Sequence, residues 1–348
     1  MTSAAESTPE PRRGRRFVAL PFLLLVALAA AWSGGWWWAA GKAGETIDAW
    51  LKREADRGRV YACADRRIGG YPFRIEVDCA EPSARIAVEG GEARASAPRF
   101  LAVAQVWDPK RVIGELTGPV TFVAPDGRRG ELTFSLAQAS ARADGRRVDR
   151  VSVALTTPRA SFDGEEVGSA ASLEAHLRRA PDQPDGVYDV ATTLEGGVSP
   201  WLSALPVGAG PVAAEIKARA SGLDDFRPGP LSERLKAFAE AGGKVDVGLA
   251  RIVRGDVAAQ ATGDLALGTD GRLNGGLDVT ARGLDAMVNA LLGTDGEDTM
   301  SALLGMGAKM LGKKAELDGK PATRYRLKFD KGRVALGPIK LTRLPPAF

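Results

Sequence analysis

The feature that most constrains the fold is an alternation of apolar and polar residues with a period of two, which recurs along most of the chain. In the clearest case Phe73, Ile75, Val77 and Cys79 fall on one side of a strand, and the charged residues between them fall on the other. The alternation returns at 132–136, 151–155, 245–249, 265–267, 277–279 and 325–329. Asp-Gly and Asn-Gly dipeptides, which favour tight hairpins, separate many of these segments. The pattern predicts antiparallel sheets with one apolar face.

Other segments have apolar residues at helical spacing, namely 45–57, 230–241, 284–292 and 300–314. We therefore predict a mainly β protein with short helices (α+β), in which a transmembrane helix precedes a curved, mostly antiparallel β meander with an apolar face. Residues 284–314 are expected to cover part of that face. The β-rich part spans 42–348, either as one domain or as two subdomains with a boundary near 180–200.

Residues 17–41 form a run without a charged side chain. At about 1.5 Å per residue, a helix of this length exceeds the ~30 Å thickness of a bilayer core. Four arginines precede the run, at Arg12, Arg13, Arg15 and Arg16. The positive-inside rule therefore predicts that 1–16 form a cytoplasmic basic tail and 17–41 an anchor in the inner (cytoplasmic) membrane. The bulk of the chain would then be periplasmic.

Tryptophans lie at the far end of this run, at Trp32, Trp36, Trp37 and Trp38. Indole rings favour the membrane–water interface, so these four residues are predicted to mark it. A cleaved signal peptide is the alternative, with Ala29-Ala30-Ala31 as a cleavage site. Because the run is longer than the apolar region of a signal peptide, we favour a retained anchor.

The charge of the chain argues against nucleic acid as a partner. The formal net charge is +4, and the four arginines and two glutamates of 1–16 supply about half of it. The exported part is nearly neutral and contains no basic cluster, which a nucleic-acid interface needs. We expect the partners to be the membrane and either phospholipid or another envelope protein.

The sequence contains no recognisable catalytic or metal motif. His176 is the single histidine, and the alternation places it beside Glu174 on the polar side of a strand. A lone histidine has no second metal ligand and no triad partner. The G-x-S-x-G and P-loop patterns are absent. We predict no cofactor, no metal and no enzymatic activity, with an envelope hydrolase as the third-ranked alternative.

Cys63 and Cys79 are the two cysteines, and on the exported side they are expected to form a disulfide. If 59–68 and 74–81 were two strands joined by a three-residue loop at 70–72, Ile68 would lie opposite Arg74. Cys63 would then lie directly opposite Cys79, within disulfide distance. A bulge or a shifted turn would break this match.

Several residues could contact a lipid or a partner. Tyr71, Phe73 and Arg74 form an aromatic corner just after the proposed anchor and its following helix. A rigid turn is the simpler interpretation of this corner, and docking to the bilayer or to a ligand is the alternative. Met287, Leu291 and Leu304 lie on the apolar sides of the helices predicted at 284–314.

The segment Gly-Tyr-Pro-Phe-Arg at 70–74, placed after an anchor and a helix containing Trp50, resembles the bacterial envelope family known as domain of unknown function 2125. The ending at 332–339, followed by Leu344-Pro345-Pro346, is similar to the C-terminus of that family. The resemblance covers about 17–348. It implies an envelope location and, because the family has no established activity, it assigns no catalytic residues.

A second, more distant resemblance covers about twenty residues. The strand–turn–strand segment at 263–284 is similar to repeats of AsmA-like periplasmic proteins. That resemblance implies a role in phospholipid or outer-membrane homeostasis and a sheet with an apolar groove. Our leading hypothesis is therefore an anchored periplasmic protein that binds or shuttles lipid, or supports envelope assembly, through an apolar β-sheet groove. A structural or protein-interaction module with a closed core is the alternative.

Overall fold

The computed structural model describes residues 14–88, 90–145, 147–203, 208–223, 226, 229–283 and 312–348. Every pairing between its strands is antiparallel, so the predicted mainly β fold with short helices is confirmed. Helix α1 (Gly14–Ala55) begins the described chain, and two short helices, α2 (Pro200–Ser203) and α3 (Leu231–Glu240), lie farther along it. Helix α3 confirms the helix predicted at 230–241.

Two sheets contain the strands. The small sheet has the order β1 (Arg59–Ala62), β4 (Ser83–Val88), β5 (Gly91–Ser96), β8 (Val120–Val123), β9 (Arg129–Thr133), β12 (Arg159–Phe162) and β13 (Glu165–Ser169). The large sheet begins with β2 (Asp65–Gly69), β3 (Arg74–Ala80), β6 (Arg99–Gln105), β7 (Asp108–Thr117), β10 (Leu136–Asp144), β11 (Arg147–Thr156), β14 (Ser172–Arg179) and β15 (Val187–Gly197).

The large sheet continues with β16 (Val212–Ser221), β17 (Lys244–Arg254), β18 (Val257–Leu267), β19 (Leu273–Arg282), β21 (Lys320–Asp330), β22 (Arg333–Leu336) and β23 (Ile339–Arg343), while β20 (Lys313–Leu317) pairs with β21.

Strands β14 and β15 pair directly, and the subdomain boundary near 180–200 stays a prediction. Lys313 and Lys314 belong to β20, which corrects the end of the helix predicted at 300–314. Residues 284–311, which contain the other helical segments predicted here, lie outside the described residues.

Within the described residues the chain crosses from one sheet to the other seven times, and each crossing is a bend of two residues. A long hairpin of paired strands, which we call a ribbon, therefore continues from one sheet into the other. The bends lie at 63–64, 81–82, 97–98, 118–119, 134–135, 157–158 and 170–171. Four of them have proline in second place: Pro82, Pro98, Pro119 and Pro158. Proline lacks the N–H that a ladder needs, so these positions interrupt the alternation without ending the ribbon. Backbone bonds such as Glu81 N–H to Pro98 O, at 2.9 Å, carry the pairing across the bend.

Helix α1 is continuous from the apolar run to Ala55, so the separate helix predicted at 45–57 is the C-terminal part of one element. After Pro21, in the N-terminal part of the helix, no proline interrupts it. Its glycines weaken it by about 1 kcal/mol each relative to alanine. At Gly44 the missing side chain permits close packing, since a Cβ there would be 3.3 Å from the Ile68 Cδ1.

The disulfide between Cys63 and Cys79 is present, with a Cα–Cα distance of 5.4 Å. The predicted register is wrong, however, because Ile68 pairs with Val77 and it is Arg66 that lies opposite Cys79. The observed register pairs Ile68 with Val77 on the apolar side and Arg67 with Asp78 on the other side, and such pairs fix the register of two strands. Cys63 lies instead in the first bend, where Ala64 N–H donates to Ala80 O at 3.0 Å. The predicted strand at 59–68 is thus β1 and β2, divided by this bend.

Removing the disulfide with the double variant Cys63→Ser/Cys79→Ser is expected to destabilise the fold by about 3 kcal/mol, the value for a loop of about this length. The two cysteines are 16 residues apart. Urea unfolding of the oxidised protein and of the variant measures the difference, and reduction of the wild type should reproduce it. An unchanged unfolding midpoint would show that the first bend is held without the bond.

Candidate functional site

A junction joins helix α1 to the turn that follows β2, and it brings together residues that the sequence analysis treated separately. Trp36 is 4% exposed, and its Nε1 donates a hydrogen bond to Arg74 O at 2.9 Å. Its ring meets Tyr71 edge-on, with 5.4 Å between the centroids. The Ser33 hydroxyl lies 2.8 Å from the Tyr71 hydroxyl. The turn at 70–73 is therefore docked on the helix.

Trp32 extends this junction by one helical turn. Its Nε1 donates to Pro72 O at 2.9 Å, and its ring centroid lies 6.4 Å from that of Phe73. Phe73 in turn lies 6.4 Å from Trp107, a residue in the hairpin between β6 and β7 that the sequence analysis did not single out. Because Trp32 and Trp36 are four residues apart, both rings lie on the helix face that meets the turn.

The predicted site residues differ in their exposure and in their contacts at this junction. Trp36 is buried, whereas Trp37 and Trp38 are about 70% exposed, at 70% and 68%. The predicted membrane-interface role of the four tryptophans stays a prediction. Arg74 contributes its backbone carbonyl to the junction, and its side chain forms an ion pair with Glu76. The other predicted contact residues, Met287, Leu291 and Leu304, lie outside the described residues.

The second candidate site is one face of the large sheet, which we call the apolar face. Cross-strand neighbours on this face form three rows. Row one contains Ile75, Ala104, Val112, Ala141, Val151, Leu177, Val190, Ala218, Val247, Gly263, Leu277, Leu327, Leu336 and Ile339. Row two contains Ile68, Val77, Ala102, Gly114, Ala139, Val153, Ala175, Thr192, Ile216, Ala250, Ala261, Val279 and Tyr325.

Row three contains Cys79, Phe100, Leu116, Ala137, Leu155, Leu173, Leu194, Ala214, Ile252, Ala259 and Ala281. Large side chains on these rows are open to solvent, among them Val153 at 38%, Ile216 at 45% and Ile252 at 47% exposed. Among the described residues, no large side chain is less than 2% exposed. The rows are therefore an apolar surface that is exposed in part, and its buried members are Val247, Leu336, Cys79, Ala137 and Ala281.

The C-terminal part of α1 packs at the first edge of both sheets. On the large sheet it meets Ile68 of row two, at Gly44. On the small sheet Trp50 stacks on Tyr61, with 5.2 Å between the centroids and 18° between the ring planes. Near the end of the helix, Glu54 is 2% exposed and accepts hydrogen bonds from Arg59 Nε at 2.6 Å and from Arg57 Nη1 at 3.2 Å. The helix thus joins the junction, the apolar face and the small sheet.

The hydrogen bond from Arg59 lowers the pKa of Glu54 below its usual value of about 4.5. A depressed native pKa gives stability that is present above the unfolded pKa and is lost as the pH falls through the native pKa. We therefore expect the wild type to lose stability below about pH 4.5, and Glu54→Gln to lose less over the same interval. Urea unfolding between neutral and acidic pH measures this, with Glu45→Gln as the control because Glu45 is an exposed residue of the same helix. Equal acid sensitivity of the wild type and Glu54→Gln would contradict the assignment.

The opposite face of the large sheet is polar and has a cavity of about 700 Å³. Arg150, Arg178, Lys217 and Arg219 line it together with Asp189 and Asp246. Asp189 accepts hydrogen bonds from Arg219 at 2.8 Å and from Arg178 at 3.0 Å, and these bonds, that of Arg219 first, lower its pKa. His176 lies on this face, 3.2 Å from Glu174, as the alternation predicted. Asp189 thus pairs with two of the arginines of the cavity, and Lys217 pairs with Glu215 beside it.

Comparison with known proteins adds a family and no more specific relative. The family model described as "uncharacterized protein conserved in bacteria" (DUF2125) matches residues 36–345, which include Trp36, the turn at 70–73 and both sheets. No match was found among curated proteins or solved structures. The comparisons do not show the more distant likeness to AsmA-like proteins. Since the family model covers most of the chain, the protein belongs to the DUF2125 family.

Proposed function

We propose that this protein is a non-enzymatic, membrane-anchored binder of phospholipid acyl chains, which lie on the apolar face of its large sheet. The observation that carries the proposal is the three-row apolar face with its exposed valine, leucine and isoleucine side chains. Contiguous exposed apolar surface of this extent is rare in proteins without an apolar ligand or partner. An acyl chain covering these rows would be removed from water at a gain of about 0.8 kcal/mol per methylene group.

The anchor supports lipid as the occupant of the face. Helix α1 is the one helix of the described chain that is long and apolar enough to cross a membrane, by a test that a signal sequence also passes. We propose that it is retained in the inner membrane, with the arginines before residue 17 in the cytoplasm and the sheets in the periplasm. The continuity of α1 from the apolar run to Ala55 supports retention, because cleavage would cut a single helix.

The geometry of the junction also favours lipid over a protein partner. Row one begins at Ile75, two residues after Phe73, and Phe73 packs against Trp32 of the anchor. The apolar face therefore starts where the helix leaves the proposed membrane. From there row one crosses fourteen strands, which at about 4.8 Å between neighbours is roughly 60 Å of sheet. A surface of this length could receive several acyl chains side by side.

Native mass spectrometry of the full chain, purified in mild detergent, tests this proposal. We expect phospholipid to remain bound at collision energies that remove detergent, and added phospholipid to rebind saturably after delipidation. Absence of retained phospholipid together with no rebinding would refute lipid binding. A protein copurifying in its place would favour the alternative of an envelope interaction module.

A further inference from the structure

Three exposed aromatic side chains lie in turns at the strand ends that face Trp32 of α1, and we call them the aromatic foot: Tyr71, Phe73 and Trp107. They come from two separate turns, one after β2 and one between β6 and β7. Their exposed fractions are 53%, 59% and 65%. From the geometry we infer that the foot is a second membrane-contact site, inserted at the headgroup–acyl boundary of the leaflet from which α1 emerges.

The position of the foot along α1 is the first support. From Phe17 to Trp36 the helix rises about 28 Å, close to the ~30 Å thickness of the bilayer core. Trp32 lies one turn, about 6 Å, deeper than Trp36. Phe73 packs on Trp32, and Trp107 packs on Phe73, each at 6.4 Å between ring centroids. The foot therefore lies at the level of the helix where the acyl region ends.

The rigidity of the foot is the second support. Trp32 Nε1 binds Pro72 O, and Val106 N–H donates to Phe73 O at 3.1 Å, so both turns are tied to the anchor. These bonds hold the backbone that carries the rings beside Trp32. At this depth the apolar rings are buried among lipid, while the hydroxyl of Tyr71 and the indole N–H of Trp107 can stay hydrated.

The chemistry of the neighbouring surface is the third support. Trp37 and Trp38 of the helix are exposed as well, so the foot continues an aromatic belt that the anchor begins. The partner that matches such a belt is a lipid surface. The contact would hold the sheet against the bilayer and keep the start of row one, at Ile75, beside the acyl chains. This inference rests on the membrane-spanning part of the proposed function, and it does not depend on lipid binding along the rest of the sheet.

Tryptophan quenching by brominated phospholipids tests the inference on the full chain in nanodiscs. The chain has seven tryptophans, so the emission of one of them is obtained as the difference between wild type and a single Trp→Phe variant. Trp107→Phe reports on the foot, and Trp201→Phe is the matched control because Trp201, in α2, is also 65% exposed. With bromines just below the headgroups, we expect Trp107 to lose more than half of its emission and Trp201 to lose almost none.

Equal quenching of Trp107 and Trp201 would overturn the inference. If Trp107 were unquenched while the remaining tryptophans, which include Trp32 and Trp36, were quenched, the anchor would stand and the foot alone would fail. If bromination quenched none of them, the membrane span itself would fail. Both replacements are at exposed positions and keep an aromatic ring, so the fold should survive them.

Discussion

Replacing Trp36 with alanine is expected to release the turn at 70–73 from helix α1 and to cost about 3–5 kcal/mol of the stability of the junction, the range for a large aromatic residue removed from a packed site. Trp36 is the most buried residue of the junction, and its Nε1 satisfies the carbonyl of Arg74. Without it, Tyr71 loses its edge-on partner. Hydrogen exchange should report the change at Arg74, whose N–H donates to Gly70 O in the intact turn.

A nearby tryptophan of the same helix supplies the control. Trp38 is 68% exposed, whereas the ring of Trp37 meets that of Trp36 edge-on, so Trp38→Ala should leave exchange at Arg74 at the wild-type rate. Equal effects of the two replacements would mean that the tryptophans act through general membrane affinity and that the junction does not depend on one specific contact. An unchanged exchange rate in Trp36→Ala would contradict the docking of the turn on the helix.

Placing two carboxylates on the apolar face is expected to abolish lipid binding. Val153 and Ile216 lie in row two, and their side chains are 38% and 45% exposed, so aspartate can be introduced without opening a buried core. A charged side chain against acyl chains costs about 2.5–3.5 kcal/mol, so the double variant Val153→Asp/Ile216→Asp should bind phospholipid at least about a hundredfold more weakly. Titration of the delipidated protein with a fluorescent phospholipid measures the difference.

The matched variant carries the same charges on the opposite face. Ser152 and Thr193 belong to the polar face and lie in β11 and β15, so Ser152→Asp/Thr193→Asp should keep wild-type affinity. Circular dichroism spectra of both double variants should match the wild type. A comparable loss of affinity in the two variants would show that charge alone weakens binding, without involvement of the apolar face.

The alternation of apolar and polar residues is sufficient to predict the antiparallel sheets and the apolar face. It does not reveal the bends, because a ribbon that continues from one sheet into the other keeps its hydrogen-bonded neighbours and shows only a short break in pattern. Leu132–Leu136, for example, looks like one strand, yet the bend at 134–135 divides it between β9 and β10. Pro82 and Pro158 were the available indication, since each one follows an alternating segment, at 73–79 and at 151–155.

The junction was predictable only in part. The aromatic corner and the tryptophans were each visible in the sequence, but their contact depends on α1 continuing past Gly41 without a break. The spacing of four residues between Trp32 and Trp36, which places them on one helix face, is the pattern that could have indicated the docking. Trp107 has no such local pattern, because only the pairing of β3 with β6 brings its hairpin beside Phe73.

Site-specific photo-crosslinking in living cells tests lipid binding on the apolar face most directly. A benzophenone-bearing amino acid would be placed at Ile216 in one variant and at Lys217 in another, since these adjacent, exposed residues lie on opposite faces of β16. After illumination, mass spectrometry of the purified protein identifies the adduct. Acyl chains on the apolar face predict a phospholipid adduct at position 216 and none at position 217. A phospholipid adduct at neither position, or equally at both, would contradict that function.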